Sequence, residues 1–190
     1  MNGNQLEANA TEGVRTIHRT KLITQFSGYL PTFDVTSLVY RMLESVPEDY
    51  LNGLNAVVLT NTSCLSRERL KRKTKSRKRK VGIAQALGLY HQAWNGETAW
   101  IEIFVDQTLK NSTKGRFKPP FEKEWLLAHV LFHEIGHHIH AVHRPVYEGK
   151  ENVAEDWSGY LSGKFYRRRY WYAQPILYPL WALVRLLKRR

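Results

Sequence analysis

An α+β fold follows from three features of the 190-residue sequence. Apolar residues recur at helical spacing around 35–43 and 126–139, short strand-like runs stand at 55–60 and 99–105, and the two kinds of segment do not alternate strictly. The length suits one domain with its own core. With 43% hydrophobic and 12% aromatic residues, general disorder is excluded despite a net charge of +12.

Taken in order, residues 1–13 are a frayed start and 14–23 read as a first strand. Asp34 stands as the N-cap of a helix whose Val35, Leu38, Val39, Met42 and Leu43 share a face, and Pro47 ends it. Residues 55–60, NAVVLT, form a short buried strand. Asn95-Gly96 marks a hairpin turn between arms at 84–90 and 98–106. In the second arm Ala99, Ile101, Ile103 and Val105 share one face, and Trp100, Glu102, Phe104 and Asp106 the other. Residues 107–120 read as loop, with Pro119-Pro120 leading into a helix from Phe121 to His143. A further helix starts near Glu151 and continues past Tyr160, with Trp157, Tyr160 and Phe165 spaced to meet the core. A single domain over residues 1–165 is expected, followed by a basic, aromatic helical extension over 166–190.

The charge is concentrated. Between Arg67 and Lys80 ten cations meet one acid, Glu68, and residues 164–190 hold eight cations and no acid, so the remaining body is net negative. Ten cations in fourteen positions repel one another with nothing apolar to bury, so residues 66–80 read as a mobile loop and as a contact for nucleic acid or another polyanion. No aromatic interleaves that run, so binding there is expected to be backbone-driven and salt-sensitive. The C-terminal extension mixes Tyr166, Tyr170, Trp171, Tyr172, Tyr178 and Trp181 with cations, a composition that suits peripheral contact with an anionic membrane. Gln174, Pro175, Pro179 and Arg185 interrupt the most apolar stretch, which argues against a spanning helix. One cysteine, Cys64, and a polar N-terminus without a leader-like apolar run make the cytoplasm the expected compartment.

Six of eight histidines lie within HVLFHEIGHHIHAVH, from His129 to His143. Residues four apart project from one helix face, so His133 and His137 can grip one cation while Glu134 reaches a metal-bound water. Zn2+ held by neutral imidazoles keeps an open position and lowers the pKa of its water, and the proton then needs a carboxylate. Gly136, a poor helix former, points to close packing.

The string HEIGH, preceded by a hairpin and followed by an acid-bearing helix, resembles the zincin metallopeptidases, and HEIGHHIH is similar to the ImmA/IrrE-type and other minimal zincins. The resemblance spans about residues 80–165 and implies a minimal zincin-like domain: a small mixed sheet, an active-site helix, and an antiparallel helix behind it. It implies zinc on His133 and His137, Glu134 as general base, a third ligand from downstream, and peptide-bond hydrolysis. It also implies that an extended peptide or protein substrate adds to the strand at 100–105 as a sheet edge.

For the third ligand, a turn centred near Tyr147 sets residue 157 opposite His137. Glu155 is then the nearest acid, a gluzincin-like arrangement, with Glu151 nearer the turn. The rival is His143, at metzincin spacing from His137, but His140 stands where that pattern has glycine and no methionine follows. His129 and His140 lie near the metal face, His138 points away, and Asp156 is a candidate to orient a ligand imidazole. A function of another class is also open: a non-catalytic zinc-binding protein on nucleic acid or an anionic membrane.

Overall fold

In the computed structural model, residues 11–76, 79–110, 121–143 and 150–173 are described. The expected turn around Pro145 and Gly149, the Pro119-Pro120 entry, the first ten residues and the extension from 174 onward lie outside them. The segment read as one strand is a hairpin. Strands β1 (Thr11–Ile17) and β2 (Thr20–Phe26) pair antiparallel, and the chain reverses through His18 at φ 54°. Nothing local announces that turn, because His18 is an uncommon choice for left-handed backbone.

Asp34 caps α1 (Val35–Glu44) as expected, its carboxylate accepting from the Ser37 amide at 2.9 Å. All five of the expected apolar positions are buried. Strand β3 (Leu54–Thr60) follows and runs parallel to β2. The Asn95-Gly96 turn also holds, with both residues at positive φ, between β6 (Gly88–His91) and β7 (Ala99–Phe104). The chain does not continue as strand and loop after Phe104, because residues 105–110 turn into a short helix, α3 (Val105–Lys110).

The sheet is mixed, in the order β1-β2-β3-β7-β6. Strand β7 therefore lies between β3 and β6, so residues 100–105 are not the free edge expected for adding a substrate strand; β6 is. Leu22, Val57, Leu59, Ile101 and Ile103 point to one face, where α1 and α4 (Glu122–His143) cover them with Met42, Leu127, Leu131 and Ile135. Helix α5 (Lys150–Arg169) packs behind α4 and runs through the boundary expected at residue 165. Phe165 is buried there and Trp157 partly so, but Tyr160 is exposed.

On the opposite face the described residues of the basic segment form regular structure where a mobile loop was expected. They form α2 (Arg67–Lys71), β4 (Lys73–Ser76) and β5 (Arg79–Gly82), the last two an antiparallel pair. The Arg69 guanidinium grips Glu102 of β7 with bonds of 3.2 and 2.7 Å, and Leu65, Ile83, Ala86 and Phe104 make a small second core beside it. Burial pushes the Glu102 carboxyl up, but hydrogen bonds from His91 and Arg69 and the Arg69 charge hold it below its ordinary value. The anchor of the cationic run is thus an acid 33 residues downstream of Arg69, invisible to local composition. Among the described residues no helix is long and apolar enough to cross a membrane.

Candidate metal centre

Helix α4 has two lives on one cylinder. Leu127, Leu131 and Ile135 pack on the sheet, while Trp125, His129, His133 and His137 recur every four residues on another face. Their rings follow one another at centroid separations of 5.8, 6.3 and 4.8 Å. What brings α5 against this face is Gly136: a Cβ there would lie 2.8 Å from the Ala154 Cα and carbonyl oxygen. The missing side chain lets the two backbones touch.

That contact sets the register. Symmetry about Tyr147 would place Gly136 opposite residue 158, but it meets Ala154, four residues and one helical turn earlier. The acid carried to the histidines is accordingly Glu151 in place of Glu155. Its Oε2 lies 3.5 Å from His133 Nε2 and its Oε1 4.0 Å from His137 Nε2. One ligand atom from each of His133, His137 and Glu151 falls within 4.8 Å of the others. Donors at 2.0–2.1 Å from a tetrahedral ion stand about 3.3 Å apart, so small rotations of these side chains would close them on a cation.

Glu155, the sequence expectation, sits one turn on and lies 3.5 Å from the other ring nitrogen of His133, Nδ1. Its side chain is 46% exposed. The charge of a carboxylate beside that nitrogen favours a proton there, a role offered by the sequence to Asp156, which is exposed. His143 packs edge-on against Tyr50 and is outside the group.

The donor set fits a divalent transition metal. Burial and the neighbouring His133 push His137 down to about 4, against the pull of Glu151, so its imidazole is neutral with a lone pair to give. Two imidazoles and a carboxylate leave coordination positions open.

Glu134 lies between this group and the sheet edge, against Gly88 of β6 and within the field of the Glu151 charge. It is buried, and its Cγ and Oε1 lie 2.8 and 3.0 Å from where a Cβ on Gly88 would stand. The Tyr90 backbone amide donates to its carboxylate. Burial dominates and, with the Glu151 charge, pushes its pKa up to about 8 against that hydrogen bond. His138 points away from the pair as expected: Nε2 donates to the Asn52 carbonyl at 3.0 Å and Nδ1 accepts from the Tyr90 hydroxyl at 3.3 Å. His129 accepts from Ser158 of α5 and stacks on Trp125.

Sequence reading missed Gly88 and Tyr90. A glycine inside a strand pattern signals close backbone approach, and Gly88 carried that signal; the amide of Tyr90 carried none. No family model matches the chain, and neither a curated protein nor a solved structure matches it.

Proposed function

We propose that this chain is a zinc-dependent peptide hydrolase of minimal zincin-like architecture, with His133, His137 and Glu151 holding the metal and Glu134 as general base. The observation that carries this reading is a buried carboxylate, fixed by the Tyr90 amide, on the residue next to a His-His-Glu group. A binding site alone has no use for that carboxylate.

Zinc, when bound, supplies a Lewis acid for the scissile carbonyl and a water of lowered pKa. Glu134 accepts the proton of the attacking water and returns it to the leaving amine nitrogen. Its burial favours the protonated form and so suits it to a carrier's task near neutral pH. The Tyr90 amide holds the carboxylate in place, and Gly88 leaves the room in which it sits. Glu155, 3.5 Å from His133 Nδ1, favours a proton on that nitrogen by its charge. A peptide substrate is supported by β6, the terminal strand of the sheet beside Glu134, to which an extended chain can add. With no second cysteine to pair with Cys64, a reducing, cytoplasmic setting suits the chain.

The test combines metal analysis with cleavage of a peptide library. Glu134→Gln is expected to keep zinc and lose hydrolysis by about 10²–10⁴-fold. His133→Ala and His137→Ala lose both. Zinc-loaded wild type that cleaves nothing, or equal zinc loss in all three variants, would replace this reading with a non-catalytic zinc-binding protein.

A further inference from the structure

Large apolar side chains scattered singly over a surface need no explanation, but a group of them at one end does. Leu30, Phe121, Trp125, Trp171 and Tyr172 are 81, 55, 51, 71 and 63% exposed, half of the large hydrophobic residues exposed among the described ones. All are tied to the first turns of α4. Trp125 belongs to it, Phe121 immediately precedes it and accepts from the Trp125 amide, and Lys123 donates to Thr32 in the loop that carries Leu30. Glu124 accepts from Tyr170 and pairs with Arg169 at 2.8 Å, which brings the Trp171–Ala173 turn alongside.

Charge at this end is net positive: Lys123, Arg167, Arg168 and Arg169 outnumber Glu122 and Glu124. Arg167 and Arg168 are exposed, and Glu124 is occupied by Arg169. The sequence entering at Phe121, residues 111–120, holds Lys114, Arg116 and Lys118 and no acid. The sequence leaving after Ala173, residues 174–190, holds ten apolar or aromatic residues, four cations and no acid. We infer that this end of the molecule, through Leu30, Phe121, Trp125, Trp171 and Tyr172 and the cations beside them, docks on an anionic lipid bilayer. Interfacial Trp and Tyr, buried aliphatic side chains and juxtaposed Lys and Arg are the three contributions such a surface rewards. A nucleic acid would neutralise the cations but leave Leu30 and Phe121 with nothing apolar to enter.

The docking has a consequence for the metal centre, one that rests on the hydrolase reading. Trp125 and His133 share a face of α4 eight residues apart, about 12 Å along the axis. Peptide bonds reaching His133 and His137 therefore belong to polypeptide held close to the bilayer surface.

The experiment is flotation of the full chain with vesicles of phosphatidylcholine alone or with about a third phosphatidylserine. Wild type and Glu134→Gln are expected to float with the anionic vesicles and at least about tenfold less with the neutral ones. The pairs Phe121→Ser with Trp125→Ser and Trp171→Ser with Tyr172→Ser, their folding checked by circular dichroism, should each lose about tenfold or more. Undiminished flotation of both pairs, absence of wild-type flotation, or sedimentation of wild type as a dimer that the aromatic pairs abolish would overturn the docking. In a second arm, a peptide library with and without a myristoyl anchor is mixed with the anionic vesicles. Faster cleavage of anchored peptides, lost in Trp171→Ser with Tyr172→Ser, supports the substrate class. Equal cleavage of both overturns that class while flotation still stands, and no cleavage of either defeats the hydrolase reading alone.

Discussion

Glu134 and His137 pull the stability of the metal-free chain in opposite directions with pH. Glu134 is raised to about 8, so above the ordinary carboxyl range the unfolded chain has released a proton that the folded chain still holds. That contribution falls as pH rises toward 8. His137 is lowered to about 4, so below the ordinary imidazole value the unfolded chain binds a proton the folded chain refuses, and stability falls as pH drops toward 4. The two slopes oppose each other on the acid side of about pH 6.5, and above it Glu134 acts alone. Thermal unfolding in the presence of a chelator should therefore show Tm falling between about pH 6.5 and 8, and Glu134→Gln should flatten that fall. An unchanged slope in the variant would place the titration elsewhere. Metal titration separates the two acids of α5: Glu151→Ala should lose binding outright, whereas Glu155→Ala, at a residue beside His133 Nδ1 and outside the three-residue group, should lose roughly 10–100-fold. That His133 and His137 share one face was legible because their spacing lies within one helix. Glu151 over Glu155 was not, because it depends on where another helix crosses.

That crossing is the element-scale decision, and Gly136 makes it. In an exposed helix Gly→Ala adds about 1 kcal/mol of stability. Here the new Cβ would meet Ala154 backbone atoms at 2.8 Å, and backbone cannot rotate away. Gly136→Ala is expected to cost about 1–3 kcal/mol in denaturant unfolding and to weaken metal binding further by drawing Glu151 back. Gly88→Ala makes a different test. Its Cβ meets side-chain atoms, Glu134 Cγ at 2.8 Å and Val130 Cγ1 at 2.9 Å, so Glu134 can yield. Hydrolysis should fall with zinc content unchanged. The hairpin at Asn95-Gly96 and the cap at Asp34 were readable because each is decided by residues within a few positions. The β1-β2 turn hid in His18, and the order of the basic segment hid in Glu102, a partner far along the chain.

Across the whole molecule, the two basic elements present different chemistry. The α4-α5 end joins its cations to exposed aromatics, whereas the α2-β4-β5 segment stands on the other face of the sheet, held by Arg69 to Glu102. Arg67, Lys71, Arg72 and Lys73 are exposed there, and the sequence of residues 71–80 holds eight cations. If the segment meets nucleic acid, the lack of an aromatic to stack predicts contacts to phosphate and not to bases. Binding to duplex DNA should consequently be independent of sequence and weaken steeply with salt. Each phosphate neutralised contributes a slope of about −0.9 in log K against log salt, so replacing the eight cations by Gln should flatten the slope by several units. Arg69 is left in place, since removing it would strand the Glu102 carboxylate, 6% exposed, at a cost of about 1–3 kcal/mol and confuse charge with folding. Titration of a labelled duplex between about 50 and 200 mM salt decides it. A slope that the Gln variant leaves unchanged would move polyanion binding to the C-terminal cations, and the same variant should still float with anionic vesicles, because the lipid-facing aromatics lie on the far side of the sheet from that segment.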